Sequence, residues 1–133
     1  MRRCASMWFA FGLAILPLAA AAAPPSSKVK VLTTQPLADL PGKEGLVLEV
    51  TLPPGGADPV HRHDSHVFVY MLEGSAVMQV KGGASVTLRP GQTFYESPSD
   101  VHIVGRNASG TKPARFLAVL VKDAAKPPVL PAN

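Results

Sequence analysis

The sequence predicts an all-β fold, either a sandwich or a barrel of short strands. Short runs of Val, Leu, Phe and Thr recur along the chain, and Pro, Gly, Asn and Asp separate them. No stretch of the expected domain keeps an apolar period of 3.6 residues, which is the signal of an amphipathic helix. Many short strands at such spacing are typical of sandwiches and barrels. With 133 residues, the chain has room for one domain of this kind.

Each predicted strand is an apolar or β-branched run that ends at a turn signal. Turn signals include Pro53-Pro54-Gly55-Gly56, Glu73-Gly74, Gly82-Gly83 and Arg89-Pro90-Gly91. In chain order, the predicted strands are 29–33, 46–52, 60–63, 67–72, 76–81, 85–88, 93–95, 102–104 and 115–121.

Two of these runs, 67–72 and 116–121, do not alternate with polar residues. Such runs belong to strands that are covered on both faces. One face would meet the interior of the domain, and the other a second sheet or a partner subunit. We therefore expect a homodimer, and we expect Tyr70, Met71, Phe94 and Tyr95 to belong to the core.

The N-terminus has the layout of a secretory signal peptide. Arg2 and Arg3 precede an uncharged apolar run that starts at Met7 and passes into an alanine stretch. The strongly apolar part is shorter than the roughly 20 residues that a spanning helix needs. We expect a signal peptide at 1–22, a flexible leader at 23–27, the domain at 28–125 and a proline-rich tail at 126–133. The mature protein would be periplasmic or secreted, without a membrane anchor.

The amino-acid composition limits the kinds of functional site that the mature chain could contain. Cys4 is the single cysteine and lies in the expected signal peptide, so the mature chain would offer no disulfide, thiolate ligand or cysteine nucleophile. The formal net charge of +4 falls by two when Arg2 and Arg3 are removed. The remaining basic residues are scattered and few aromatic residues accompany them, which argues against a nucleic-acid surface.

The four histidines all fall between positions 61 and 102. His61 and His63 are two residues apart, so on a strand both side chains point to one face, with Cα atoms roughly 6 to 7 Å apart. Two imidazoles at that separation can converge on one metal ion. By itself, an H-x-H pair is equally compatible with surface polarity or a hydrogen-bonded core pair.

The surroundings of these histidines resemble the two conserved motifs of the cupin superfamily. In the first motif, five residues separate Gly55 from His61-Arg62-His63, and Gly74 closes the hydrophobic strand that follows. In the second, Gly91 lies eleven residues before His102. The resemblance implies a double-stranded β-helix, or jelly-roll, barrel in which His61, His63 and His102 hold one divalent metal ion. Neutral imidazoles suit Fe, Mn, Ni, Cu or Zn, so the ligand type does not select among these metals.

The sequence departs from the cupin motifs at informative positions. The glutamate ligand of the first motif would fall at Val67, which cannot coordinate a metal. Two nearby residues could replace it. His66 precedes Val67, but strand alternation would turn it to the other face unless the strand bulges. Glu96 could ligate the ion or accept a hydrogen bond from a liganding imidazole, or it could be an exposed loop carboxylate.

Two functions follow from the resemblance. One is a metal-dependent enzyme, of the dioxygenase or isomerase type, that acts on a small organic molecule. The other is a non-catalytic module that uses the metal to bind a small ligand. The sequence contains no separate nucleophile triad or phosphate-binding loop, so any chemistry would centre on the metal. It identifies no catalytic residue outside the expected metal ligands.

Overall fold

The computed structural model describes residues 21–132 of the chain. These residues contain ten β-strands and no helix. None of these residues belongs to a helix that could cross a membrane. Nearly all of the expected signal peptide lies outside the described residues. The strands are β1 Lys28–Pro36, β2 Lys43–Leu52, β3 His61–Arg62, β4 His66–Glu73, β5 Ala76–Val80, β6 Val86–Leu88, β7 Thr93–Glu96, β8 Val101–Asn107, β9 Ala114–Asp123 and β10 Leu130–Pro131.

The strands form two antiparallel five-stranded sheets. The first sheet has the order β1-β2-β9-β4-β7, and the second has the order β10-β3-β8-β5-β6. Sequence neighbours repeatedly lie in opposite sheets, as in a double-stranded β-helix. The expected double-stranded β-helix topology is confirmed. The expected barrel is not closed, because the two sheets do not join into one continuous hydrogen-bonded cylinder.

The core lies between the two sheets. In β9 the even-numbered residues are buried and the odd-numbered ones are half-buried, and β2 shows the same alternation along most of its length. Strand alternation therefore directs one face of each strand into the core, even where the sequence is apolar at every position. The apolar side chains of this core include Leu52, Val67, Met71, Met78 and Leu120.

Gly74 shows why a motif glycine is needed at the end of β4. Its backbone has a φ of +69°, a conformation that residues other than glycine rarely adopt. A Cβ at this position would lie 2.4 Å from the backbone oxygen of Pro113. Both the left-handed backbone and the close approach of the chain before β9 therefore exclude a side chain here.

Asn107, at the end of β8, links two connections: the one that follows β2 and the one between β8 and β9. Its buried side-chain amide lies 2.8 to 3.2 Å from the backbone oxygens of Leu52, Pro53 and Lys112. Its Oδ1 accepts a hydrogen bond from the backbone amide of Ser109. The asparagine thus anchors the end of the domain near Gly74.

Two of the aromatic residues expected in the core lie outside it. Met71 is fully buried, but Tyr70 and Tyr95 are 46% and 47% exposed. Phe68 is 50% exposed on the same outer face of β4. The prediction for Tyr70 and Tyr95 was wrong because an unbroken apolar run does not reveal which of its two faces another sheet covers.

The C-terminal segment, which the sequence sets apart as a tail, packs against the domain. Leu130 and Pro131 form β10, which pairs with Arg62 and His61 of β3. Lys126 forms an exposed ion pair with Asp64 at an Nζ–Oδ2 distance of 3.1 Å. The segment therefore runs beside the H-x-H pair.

Candidate metal centre

Three imidazoles meet at one end of the space between the sheets. One nitrogen from each of His61, His63 and His102 lies within 4.8 Å of the others. His61 and His102 are direct partners in the pairing of β3 with β8. His63 follows β3, and its ring centroid lies 4.8 Å from that of His61. The fold thus brings together the three residues that the two cupin-like motifs supply.

Backbone carbonyls select the tautomers of two of these histidines. The Nδ1 of His61 lies 2.7 Å from the oxygen of Pro59, and the Nδ1 of His63 lies 2.6 Å from the oxygen of Pro128. A carbonyl can only accept, so in a neutral ring each Nδ1 carries the proton and each Nε2 presents a lone pair. The two Nε2 atoms are 3.2 Å apart. Two facing lone pairs repel each other unless a cation or a proton lies between them.

His102 is buried without a hydrogen-bond partner. Both of its ring nitrogens lack a partner among the described residues. Burial lowers the pKa of His102 to about 4, and the nearby His61 adds to this effect. Burial also lowers the pKa of His63. At neutral pH both rings are therefore uncharged and able to ligate a metal.

Gly105 gives the His102 ring its space. A Cβ at Gly105 would lie 3.2 Å from Cε1 and 3.4 Å from Nε2 of His102. Such contacts are tighter than ordinary van der Waals packing. A side chain here would push the imidazole within the cluster, so this glycine contributes to the site by its small size.

Glu96 extends from β7 into the same cluster. Its side chain is almost fully buried, with Oε1 3.4 Å from Nδ1 of His102 and Oε2 3.7 Å from Nε2 of His63. Oε2 has no hydrogen-bond partner within residues 21–132. Burial, with a smaller contribution from the charge of Asp100, raises the pKa of Glu96 to about 7. Glu96 is not an exposed loop carboxylate.

The position of Glu96 relates directly to the missing glutamate of the first motif. Glu96 is the cross-strand partner of Val67 in the pairing of β4 with β7. Both side chains point inward, and Val67 is 2% exposed. A carboxylate on β7 therefore takes the place in space that a glutamate at Val67 would occupy on β4.

His66 is not brought to the cluster. It begins β4 on the opposite face from Val67, where its Nδ1 shares a 2.7 Å hydrogen bond with the Tyr95 hydroxyl. The pairing of β4 with both neighbours is regular at this point, so no bulge turns His66 inward. Among the potential replacements for the missing glutamate, the structure places only Glu96 beside the three histidines.

A cavity of about 380 Å³ opens next to the cluster. Its walls are mainly apolar side chains from β2, β4 and β9, and its polar residues are those of the cluster itself together with Asp58 and Ser27. Among the described residues that line it, none is Lys or Arg. Its volume lies at the lower end of the range for small-molecule sites. The apolar part of the wall includes Leu46, Leu48, Val50, Val69, Phe116 and Leu120.

Sequence reasoning missed three contributors to this site. Asp58 lines the cavity and accepts a hydrogen bond from the backbone amide of Ser27. Gly105 makes room for His102, and its position three residues after this histidine offered a weak signal. Pro128 contributes a backbone carbonyl from 65 residues beyond His63, and no local pattern could reveal that contact.

The donor set fits a divalent transition metal. Three neutral imidazole nitrogens and one carboxylate oxygen are hard-to-borderline ligands of the type that Fe, Mn, Ni, Cu and Zn accept. The convergent lone pairs of His61 and His63, one of the two unpartnered nitrogens of His102 and the unpartnered Oε2 of Glu96 would each gain a partner from one bound cation. Burying such groups without a partner costs free energy.

Solved structures with the same fold include proteins of different activities. A cupin domain from Bordetella pertussis aligns with a TM-score of 0.61 and 21% identity, over 77% of this chain and 99% of that one. The polyketide cyclase RemF from Streptomyces resistomycificus aligns with a TM-score of 0.60 and 24% identity, over 83% and 75% of the two chains.

The DMSP lyase DddQ from Ruegeria pomeroyi aligns with a TM-score of 0.57 and 24% identity. The alignment covers 65% of this chain but 42% of the lyase, so this chain spans less than half of that protein's length. No curated protein matches the sequence. At these identities the structural neighbours establish the fold alone.

Family membership rests on the sequence profile as well as on the fold. The profile described as the cupin domain matches residues 48–120, which include both histidine motifs and Glu96. This match covers more than half of the chain, and the two-sheet topology agrees with it. The chain belongs to the cupin family.

Proposed function

We propose that this protein is an exported, metal-dependent cupin enzyme that acts on a small, largely apolar molecule with a single anionic or chelating head group. One observation carries the proposal: three imidazoles and a buried carboxylate converge beside an apolar cavity. Export rests on the signal-peptide pattern of the first 22 residues.

The cavity supports this class of substrate. Its apolar walls favour a hydrocarbon or aromatic body, and its volume of about 380 Å³ suits a small molecule. Within residues 21–132, no lysine or arginine lines the cavity to neutralise a phosphate or a second carboxylate, and Asp58 and Glu96 would repel one. A single head group directed at the histidine cluster is the arrangement that these walls favour.

His61, His63 and His102 would hold the ion, and Glu96 would complete the donor set. When bound, a divalent ion in such a site supplies Lewis acidity and orients a substrate oxygen. The carbonyls of Pro59 and Pro128 keep His61 and His63 in the tautomers that present Nε2. The apolar walls limit water around the head group. The activities named for the DMSP lyase and the polyketide cyclase support small-molecule chemistry at a fold of this kind.

The first test is the metal content of the mature chain. Untagged protein from the periplasmic fraction should carry one divalent ion per chain, and His61→Ala, His63→Ala and His102→Ala should each abolish stoichiometric binding. Elemental analysis measures this directly. His66→Ala is the matched control and should retain the ion, because His66 lies on the opposite face of β4. Full occupancy in any of the three cluster variants would remove that residue from the ligand set.

The second part of this test concerns turnover. The metal-loaded protein is incubated with enolisable and phenolic monoanions, and product formation and oxygen consumption are followed together. Product with oxygen uptake indicates a dioxygenase, and product without uptake indicates an isomerase or a related proton-transfer enzyme. Tight binding of these molecules without any turnover would replace the enzyme with a non-catalytic binding module.

We further propose that the outer face of β4 and β7 joins two copies of the chain. Phe68, Tyr70 and Tyr95 are each about half exposed on this face. Together they expose roughly 300 Å², since an aromatic side chain can bury 150–250 Å². A stable interface takes about 800 Å² from each partner, so these rings would supply its centre. Thr93 and Val119 also line this groove, and none of its lining residues in the described part of the chain is charged and would oppose a second copy.

The dimer has a simple test. Light scattering at micromolar concentration should give twice the monomer mass, and Phe68→Arg should shift the protein to monomer because a buried guanidinium pair would repel at a two-fold axis. Leu32→Arg, on the exposed edge strand β1 of the same sheet, is the control and should remain dimeric. A monomeric wild type, or a monomer produced only by Leu32→Arg, would contradict the proposal.

A further inference from the structure

The C-terminal segment 126–131 contacts the histidine cluster at several points. The Pro128 carbonyl oxygen accepts a hydrogen bond from Nδ1 of His63 at 2.6 Å. Pro128 and Val129 also line the cavity. Leu130 and Pro131 pair with Arg62 and with His61, which is itself one of the cluster histidines. The segment thus forms both a wall of the cavity and a partner of one cluster histidine.

The carbonyl of Pro128 has a defined chemical consequence. A neutral imidazole in water exchanges between two tautomers, and only the one protonated at Nδ1 offers the Nε2 lone pair to the cluster. His61 obtains this tautomer from Pro59, which is two residues away. His63 obtains it from a segment that is 65 residues distant and joined to the domain by few contacts. The orientation of His63 therefore depends on whether the segment is in place.

A small set of interactions holds the segment. Besides the two pairs between β10 and β3, Lys126 forms an ion pair with Asp64, and Asp64 also pairs with Arg62. Asp64 has a φ of +49°, a left-handed conformation that lets the chain turn between His63 and β4. The same turn thus connects His63 to β4 and provides the carboxylate that holds Lys126.

We propose that segment 126–131 is a positioning element of the metal site: it fixes His63 in the tautomer that presents Nε2 and closes one side of the cavity. The metal affinity of the domain then depends on a segment outside both cupin motifs. The proposal rests on the metal-dependent function proposed above. Its central readout, however, is taken on the metal-free chain, so the two can fail separately.

The experiment compares two truncations. Ending the chain after Lys126 removes the Pro128 carbonyl, whereas ending it after Pro131 removes only residues beyond β10. In the metal-free protein, long-range ¹⁵N–¹H spectra should show a fixed Nδ1-protonated His63 in the full chain and in the longer truncation. The shorter chain should show averaged tautomers. Its affinity for Zn²⁺ alone should fall about 10- to 100-fold, the usual effect of removing a partner of a liganding histidine.

A milder pair of variants covers the case in which the shorter chain fails to fold. Lys126→Met removes the ion pair with Asp64 and leaves the carbonyl, whereas Lys126→Arg retains the pair. Lys126→Met should weaken Zn²⁺ binding a few-fold and partly average the His63 tautomers, and Lys126→Arg should behave as the wild type.

The outcomes of these measurements either support or overturn the positioning role of the segment. Suppose that the shorter truncation folds. The proposal would be overturned if His63 in that chain kept a fixed Nδ1 proton and its Zn²⁺ affinity stayed within threefold of the full chain. If circular dichroism shows that the shorter truncation is unfolded, an unchanged His63 tautomer in Lys126→Met would overturn the proposal. A full chain that binds no metal but loses its fixed tautomer on truncation would refute the metal-dependent function and leave the positioning role of the segment intact.

Discussion

Glu96→Gln should raise the stability of the metal-free protein at pH 8 and lower its affinity for metal. Burial raises the pKa of this carboxyl from 4.5 to about 7. A raised pKa in the folded state means that the stability of the protonated form is fully present below about pH 4.5 and is lost as the pH rises through 7. At pH 8 the buried carboxylate then costs about 3 kcal/mol, which the neutral amide avoids.

With metal present, Glu96→Gln should instead be unfavourable, because glutamine removes the anionic ligand. The apparent dissociation constant should rise at least tenfold, measured by competition with a chelator. Urea unfolding at pH 8 and at pH 4.5 measures the stability effect, which should nearly vanish at the lower pH. Glu73→Gln is the control, because Glu73 is an exposed carboxylate on the same sheet. Metal affinity within a few-fold of wild type in Glu96→Gln would instead favour a shell of three histidines alone.

Moving the carboxylate from one strand to the next should preserve the site. Val67 and Glu96 are cross-strand partners, so the double variant Val67→Glu/Glu96→Val exchanges valine and glutamate within one buried pair. We expect it to recover most of the metal affinity that Glu96→Val loses. Val67→Glu alone should place two carboxylates side by side in the core, and at pH 8 it should lower the free energy of unfolding of the metal-free protein by about 2 kcal/mol or more.

Val69→Glu/Glu96→Val provides the matched control. Val69 is also buried on the inner face of β4, but it pairs with Phe94 rather than with Glu96. This variant should not recover metal affinity. If Val67→Glu alone tightened metal binding and Glu96→Val left it unchanged, the site would be a neutral three-histidine shell, and Glu96 would not be a ligand.

The exchange of Val67 and Glu96 also bears on how cupin sites are recognised from sequence. A motif search registers the valine as a lost ligand, because the glutamate is expected on β4. In the antiparallel sheet, the side chain that shares the position of Val67 belongs to a residue 29 positions later in the chain. The register of β4 with β7, which depends on tertiary packing, brings the carboxylate back to the histidines.

By itself, the sequence determined the class of fold and the three histidines. Short apolar runs between turn residues predicted a strand at each of β1 to β9, because alternation and turn chemistry are local properties. The two-residue spacing of His61 and His63 placed both on one face for the same reason. The cupin-like motifs added His102, which no local pattern could have joined to the other two.

The tertiary structure decided the rest. It left the outer face of β4 exposed at Phe68 and Tyr70, since an apolar run does not record what covers its second face. It kept the two sheets open rather than closed into a barrel. It brought Glu96 opposite Val67 and the Pro128 carbonyl against His63. These last contacts join residues 29 and 65 positions apart, and only the packing of the sheets and of the C-terminal segment determines such pairs.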